Sequence, residues 1–167
     1  MGDLKGGGST VDIDQPAPRE WSAGQQEALS LWIALARCYS SFWKAVSAKI
    51  QEYGLTTPQF GVVEALYHLG PLSLGDLAEK LLVTGGNVTY VMDRLEQQDL
   101  VYRERSEDDR RVIQAKLTPE GRALIEGVFQ GHAEYIEHLT RHIEADERAE
   151  LRELLKKLGK GVARQDL

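Results

Sequence analysis

The sequence is poor in cysteine and contains no long apolar run. Its single cysteine, Cys38, cannot form a disulfide within the chain. No segment reaches the roughly 18 consecutive apolar residues that span a bilayer. The opening MGDLKGGGST also lacks the basic and apolar regions of a secretory signal. These absences predict a cytoplasmic protein that does not bind membranes.

An excess of positive charge is also absent, because 26 acidic residues oppose 20 lysines and arginines and the formal net charge is −6. This balance excludes a protein that coats nucleic acid through bulk positive charge. The sequence also lacks a Walker loop, a nucleophile elbow, an HExxH motif and a GxGxxG turn between a strand and a helix. We therefore expect neither an enzyme nor a bound cofactor, and any contact with DNA must depend on where individual charges lie.

A chain of 167 residues is long enough for one domain with a substantial core. The glycine- and proline-rich residues 1–22 predict a flexible tail, followed by a single domain over 23–160 and a short tail over 161–167. From about residue 25 to 52, apolar residues recur at steps of three and four, which predicts a long helix with a heptad seam. The seam consists of Leu29, Trp32, Ala36, Tyr39, Trp43, Val46 and Ile50.

Helix-capping residues divide the following segment into three shorter helices. Thr57 and Pro58 predict the start of the first helix. Ser73 begins a sequence that resembles a capping box, and Thr84 predicts the cap of a helix that ends near residue 98. The last two helices meet across a tight turn, which is typical of a helix-turn-helix. The inward positions of the final helix are predicted to be Val88, Val91, Met92 and Leu95.

Alternating apolar residues after these helices predict a β-hairpin with a charged tip. Ile113, Ala115 and Leu117 lie on one alternating face of its second strand. Thr118 and Pro119 then predict the start of a second long helix with a heptad seam. That seam consists of Ile125, Phe129, His132, Ile136, Leu139 and Ile143, and a last short amphipathic helix carries Leu151, Leu154, Leu155 and Leu158.

The predicted fold class is therefore mainly α with a small β-hairpin. A winged helix-turn-helix over residues 57–118 lies between N- and C-terminal dimerisation helices, over 23–53 and 119–160. Narrow apolar seams of this kind are most simply buried against a second copy of the chain.

The stretch from about residue 29 to 159 resembles the MarR family of bacterial transcription regulators. The matching motifs are GLTxPQF at 54–60, LxxLAEKL at 74–81, VxxxxDRLE at 88–96, and DRR followed by LTPEG within 109–121. The resemblance implies a homodimer that binds a pseudo-palindromic operator in double-stranded DNA. It also implies repression that a small molecule relieves.

The resemblance further implies which residues contact DNA. The helix from residue 84 to about 98 becomes the recognition helix of the major groove, with Gly85 and Gly86 allowing its backbone to approach a phosphate. In the hairpin, Arg111 is expected in the minor groove, oriented by Asp109. The alternatives are a loose helix start for the glycines and a surface ion-pair cluster for the arginines. The implied DNA contacts are Thr84, Gly85, Gly86, Asn87, Thr89, Tyr90, Arg94, Arg103, Arg105, Asp109, Arg110 and Arg111, with Lys116 as a further phosphate contact.

A regulator of this kind needs an input, and the aromatic residues suggest a small aromatic, phenolic or quinone-like effector. Aromatic rings with polar tips can stack on such a ligand and hydrogen-bond to it. The candidate ligand-binding residues are Trp32, Tyr39, Trp43, Tyr67 and His68, for which ordinary packing is the alternative. The recognition-helix stretch VTGGNVTYV resembles the phenol- and quinone-responsive branch of the family.

Two other kinds of input, a redox signal and a metal ion, have candidate residues in the sequence. Cys38 is a candidate redox sensor, although the cysteine of the peroxide-sensing branch aligns with Trp32 instead. Glu134, His138 and His142 share one helix face, but no further ligand completes a closed site, so we predict no metal. The alternative to a DNA-binding regulator is a helical dimerisation module whose degenerate winged domain binds protein.

Overall fold

The computed structural model describes residues 21–81, 84–106 and 111–164. In chain order the elements are α1 (Ala23–Glu52), α2 (Thr57–Leu69), β1 (Leu72–Ser73), α3 (Leu74–Leu81), α4 (Gly85–Gln97), β2 (Val101–Arg105), β3 (Ile113–Leu117), α5 (Pro119–Thr140) and α6 (Ala145–Ala163). This confirms the predicted class, which is mainly α with a small hairpin. The residues predicted as an N-terminal tail lie almost entirely outside the described ranges, and α6 continues to Ala163, past the predicted domain end at residue 160.

The chain divides into two compact units, Met1–Ser40 and Ser41–Leu167. The boundary falls inside α1, whereas the sequence predicts a single domain over 23–160. In the first unit, the described part of α1 exposes several large apolar side chains, namely Leu29, Leu31, Trp32, Ile33 and Tyr39. The second unit contains the winged helix-turn-helix together with α5 and α6.

The start of α2 differs from the sequence-based expectation by one residue. Thr56 is the N-cap, and Thr57 already lies in the helix with Pro58. The Thr56 hydroxyl accepts a hydrogen bond from the Gln59 backbone N–H at 3.4 Å, and the Gln59 side chain accepts one from the Thr56 N–H at 2.9 Å. This reciprocal capping box satisfies two helix-end donors, which a cap at Thr57 could not do because Gln59 would then stand one position too early.

The sheet has three strands in the order β1-β3-β2, and both pairings are antiparallel. The hairpin β2–β3 was expected, but β1 was not, because a strand of two residues carries no periodicity. Leu72 pairs with Ala115 and so ties the start of α3 to the wing. Ile113 shares its alternating face with the buried Ala115, yet it is exposed, because it lies at the end of the hairpin farthest from the core.

The core of the second unit lies where α2, α3 and α4 meet the sheet and the start of α5. The predicted inward residues of α4 are all buried, which confirms its orientation. Burial of each such side chain contributes about 1.5–3 kcal/mol. The core residues include Phe60, Val62, Val63, Leu66, Leu77, Val88, Met92, Leu95, Val101, Ala115 and Ile125. Across the described ranges, no helix is long and apolar enough to cross a membrane.

The junction between the wing and α5 is held by hydrogen bonds of the Thr118 backbone and hydroxyl. The Thr118 hydroxyl donates to the Asp99 carbonyl at 2.6 Å and accepts from the Gly121 N–H at 2.9 Å, while the Thr118 N–H donates to the Leu100 carbonyl at 3.1 Å. Asp99 adopts a positive φ of 57°. The end of α4 is thereby joined tightly to the beginning of α5.

Candidate nucleic-acid interface

The exposed face of α4 carries small and polar residues at its N-terminal end. The Thr84 hydroxyl caps the helix by accepting from the Asn87 N–H at 3.4 Å. Gly85 and Gly86 follow with open space around their Cα atoms, so the first-turn N–H groups stand at a helix end that favours an anion. The exposed residues of this face are Thr84, Gly85, Gly86, Asn87, Thr89, Tyr90, Asp93, Arg94 and Gln97.

Tyr90 and Arg94 form a pair on this face. The Arg94 guanidinium carbon lies 5.3 Å from the centroid of the Tyr90 ring. Its Nε donates to the Tyr90 hydroxyl at 3.3 Å, and its Nη1 donates to Gln97 at 3.2 Å. Two long side chains are thereby held in one geometry before any partner binds. The Thr89 hydroxyl, by contrast, donates to the Gly85 carbonyl within the helix at 3.1 Å.

Arg103 was expected to contact phosphate, but its guanidinium faces α4. It forms ion pairs with Glu96 and, at 2.8 Å, with Asp93, and it donates to the Thr89 carbonyl at 3.1 Å. Its side chain is only 23% exposed. Sequence reasoning missed this arrangement, since its acidic partners belong to a different element.

Two of the other predicted wing cations are exposed, namely Arg105 and Arg111. Arg105 is the last residue of β2 and is exposed, and Arg111 is exposed in the turn before β3. Lys116 pairs across the hairpin with Glu104. Asp109 and Arg110 lie outside the described residues, so the expected pairing of Asp109 with Arg111 stays a prediction.

Two openings adjoin α4. The larger is an open groove of about 680 Å³ between α4 and the α1–α2 turn. Its walls include Leu55, Thr56, Gln59, Asn87, Tyr90 and Arg94. The smaller, which we call the α2–α4 cavity, measures about 220 Å³ and is mainly apolar. It is lined by Trp43, Thr57, Pro58, Gly61, Val62, Leu81, Asn87, Val88 and Val91.

Only part of the predicted ligand-binding set is brought together. Trp43 lines the α2–α4 cavity, whereas Tyr67 and His68 contact each other elsewhere, with ring centroids 5.0 Å apart. The Arg122 guanidinium lies 5.8 Å from the Tyr67 ring. Trp32 and Tyr39 belong to the first compact unit.

A chain of aromatic rings joins α2 to α5, and the sequence did not single it out. His132 lies 4.6 Å from Phe60 and 6.0 Å from Tyr53, measured between ring centroids. Burial lowers the pKa of His132, opposed by the charge of Glu64, and burial raises the pKa of Tyr53. Among the described residues, His132 Nδ1 and the Tyr53 hydroxyl are buried without a hydrogen-bond partner. The heptad position of His132 was the available signal for its burial.

Cys38 is exposed on α1. Of the metal candidates, Glu134 accepts from Gln130 at 2.8 Å, and the Arg141 guanidinium lies 2.7 Å from the His138 ring nitrogens. Within the part of the chain that the structure describes, no three such side chains are arranged to hold a metal ion.

Comparison with known sequences identifies the class of protein. The family model for the MarR family matches residues 55–113. The transcriptional regulator MhqR from Bacillus subtilis (strain 168) is 36% identical over 134 residues, which cover 80% of this chain and 92% of that protein. The transcriptional repressor MdtR from the same organism is 32% identical over 112 residues, covering 65% of this chain and 72% of that one.

Solved structures agree with the sequence relatives. A mutant of MarR from E. coli, in complex with operator DNA, has 27% identity and a TM-score of 0.72, and the match covers 82% of this chain and 99% of that one. BpsR from Bordetella bronchiseptica, whose DNA binding is regulated by 6-hydroxynicotinic acid, has 26% identity and a TM-score of 0.69, covering 87% and 98%. The chain therefore belongs to the MarR family of DNA-binding transcriptional regulators, which are not enzymes.

Proposed function

We propose that this chain is a homodimeric repressor whose α4 enters the major groove of a pseudo-palindromic operator, while its wing contacts the neighbouring backbone and minor groove. The observation that carries the proposal is the exposed face of α4, which combines an anion-favouring N-terminus with the paired side chains of Tyr90 and Arg94. The proposed contacts are Thr84, Gly85, Gly86, Asn87, Thr89, Tyr90 and Arg94 from α4, with Arg105, Asp109, Arg110 and Arg111 from the wing.

Fluorescence anisotropy with the chain's own promoter fragment tests this proposal. Arg94→Ala should weaken binding to the operator by about 1–3 kcal/mol, as expected for a base-contacting arginine. Arg152→Ala makes the same change of charge on exposed α6 and should leave the affinity unchanged. Equal losses in the two variants would contradict the placement of α4 in the major groove.

The proposal of a homodimer is supported by an uncovered apolar face on α6. Leu151, Leu154, Leu155, Leu158 and Val162 recur at helical spacing, and each is at least 40% exposed. A row of five large apolar side chains on one helix face is typical of an interface. A dimer would also match the two-fold symmetry of a pseudo-palindromic operator.

The proposed effector is a small aromatic, phenolic or quinone-like compound that binds the α2–α4 cavity. An engineered apolar cavity of about 150 Å³ binds benzene, so the 220 Å³ here accommodates one substituted ring. Trp43 supplies an aromatic wall, and Asn87 and Thr57 supply polar groups. Because Asn87, Val88 and Val91 belong to α4, a bound ring would push directly on the DNA-reading helix.

A panel of phenols, quinones and aromatic acids, titrated into the preformed DNA complex, tests this input. Trp43→Leu should abolish the release that an active compound causes, whereas Trp32→Leu, outside the cavity lining, should preserve it. Loss of the response in both variants would contradict the α2–α4 cavity as the effector site.

A second input is favoured by the exposure of Cys38, whose thiol can meet an oxidant or an electrophile. In that case Cys38→Ser should retain operator binding but lose the response to quinones or peroxide. A Cys38→Ser variant that still responds to quinones would assign that response to binding without reaction at Cys38.

A further inference from the structure

The side chain of Arg103 connects the wing to α4. From β2 its guanidinium reaches three acceptors on α4: the Thr89 carbonyl, the Asp93 carboxylate and the Glu96 carboxylate. Nη2 contacts Thr89 and Asp93 at 3.1 and 2.8 Å, while Nη1 contacts Glu96. One side chain therefore spans about two turns of the helix.

The spacing of these acceptors determines what the contact can do. Thr89, Asp93 and Glu96 stand at i, i+4 and i+7 along α4, so they form one stripe on the helix. A planar guanidinium that engages all three fixes both the rotation of α4 about its axis and its position along that axis relative to β2. Tyr90 and Arg94 immediately follow two of these acceptors, so their direction depends on the same rotation.

The surroundings separate Arg103 from the other wing cations. Its side chain is 23% exposed, and its charge is opposed by two carboxylates rather than one. Arg105, two residues later, is exposed on the same strand. A phosphate contact at Arg103 would require breaking an ion-pair network that already uses both terminal nitrogens.

We propose that Arg103 is a positioning residue that sets the orientation of α4 relative to the wing and so determines operator specificity, rather than a phosphate contact. This rests on the proposed placement of α4 in the major groove. The network acts on which side chains meet the base edges, and it contributes little to the general attraction for DNA.

The first experiment replaces Arg103 by lysine in the full-length chain. Lysine keeps the positive charge, but its single ammonium cannot reproduce the three-point fork. We expect Arg103→Lys to weaken operator binding about tenfold, the size of one lost specific contact. Binding to an unrelated duplex, and the slope of log K against log salt on the operator, should not change. If Arg103→Lys instead retains the full affinity of the wild type for the operator, Arg103 acts only through its positive charge and the proposal is wrong.

Arg105→Ala provides the matched comparison on the same strand. A lost phosphate contact flattens the salt slope by about 0.9 and weakens binding to all duplexes alike. We expect that behaviour from Arg105→Ala and not from Arg103→Ala. A slope that flattens by the same amount for Arg103→Ala would overturn the proposal.

The second experiment removes the negative charges of the two carboxylates that pair with Arg103, and it predicts the sign of the effect. Asp93→Asn combined with Glu96→Gln removes two negative charges from α4. If only the overall charge mattered, the double variant would bind DNA more tightly. The positioning role predicts the opposite on the operator, with a reduced ratio of operator to unrelated-duplex affinity. Tighter and equally specific binding would refute it.

Thermal melting of each variant accompanies the titrations, because a variant that unfolds loses affinity for every duplex. Retained binding to the unrelated duplex shows that the variant is folded. A wild-type chain without salt-dependent duplex binding would contradict the proposed function itself, which is a different result from a change confined to the Arg103 variants.

Discussion

Gly121 occupies a site in α5 that only a glycine can fill. Alanine should therefore destabilise the protein at this position, whereas alanine at another glycine of the same helix should stabilise it. A Cβ atom at position 121 would lie 1.9 Å from the Leu100 carbonyl oxygen and 2.9 Å from its carbonyl carbon. An ordinary carbon–oxygen contact is about 3.3 Å, so the start of α5 and the start of β2 must separate by about 1.4 Å. Gly121→Ala is therefore expected to open the junction between wing and α5.

The loss of stability expected for Gly121→Ala follows from the hydrogen bonds at this junction. The Leu100 carbonyl accepts from the Thr118 N–H, and the Thr118 hydroxyl bridges Asp99 and Gly121. Loss of two of these bonds at about 1 kcal/mol each, together with overpacking of about 1–3 kcal/mol, outweighs the gain of about 1 kcal/mol from alanine in a helix. We expect a net loss of about 3 kcal/mol, or roughly 6–12 °C in Tm for a chain of this size.

Gly127→Ala is the control, because a Cβ at position 127 meets nothing within 4 Å. That substitution should stabilise the protein by about 0.5–1 kcal/mol. The melting temperatures of both variants and of the wild type are measured by circular dichroism. All three are measured at one protomer concentration, because the proposed dimer would make stability depend on concentration. A Gly121→Ala protein that melts with or above the wild type would refute the reasoning.

Three further predictions concern the wing, the core and the proposed interface. Arg111→Ala should weaken operator binding by about 1–3 kcal/mol, much more than Lys116→Ala, because Arg111 is the proposed minor-groove contact and Lys116 is only a candidate phosphate contact; small and equal losses in gel shifts at one salt concentration would contradict the wing assignment. Burial lowers the pKa of His132 below its ordinary value of 6.5, so on acidification the unfolded state takes up the proton first, and stability that is present above pH 6.5 is lost below it. His132→Phe should remove that part of the pH dependence, which is measured as the difference between the free energies of unfolding by denaturant at about pH 5 and 8. If the variant shows the same difference as the wild type, His132 is not its source. Leu155→Asp on the apolar face of α6 should shift sedimentation equilibrium from dimer to monomer, whereas Lys160→Asp on the opposite face should not; a dimer that survives Leu155→Asp would place the interface elsewhere.

The sequence predicted the elements well where a local signal existed. Thr84 and Thr118 cap their helices as expected, and the inward positions of α4 are buried. The cap of α2 was misplaced by one residue, because Thr56 and Thr57 are adjacent and only the position of Gln59 distinguishes them. β1 was missed, since its two residues are extended only because β3 lies beside them.

The candidate site was less predictable than the fold. The exposed face of α4 followed from helical periodicity, so the exposure of Tyr90 and Arg94 was predicted, and their contact with DNA stays a prediction. Arg103 was identified as a cation, but its partners were not, and the aromatic candidates Trp43 and Tyr67 proved to lie in different places.

The sequence by itself determined where helices begin, which of their faces turn inward and that the chain belongs among winged helix-turn-helix regulators, because caps, periodicity and motifs are local in the chain. Only the tertiary structure decided that Arg103 pairs with α4, that Gly121 must lack a side chain and that His132 packs against the rings of Phe60 and Tyr53. Each of these depends on atoms from another element, whose approach is set by packing of the whole unit and not by the neighbouring residues.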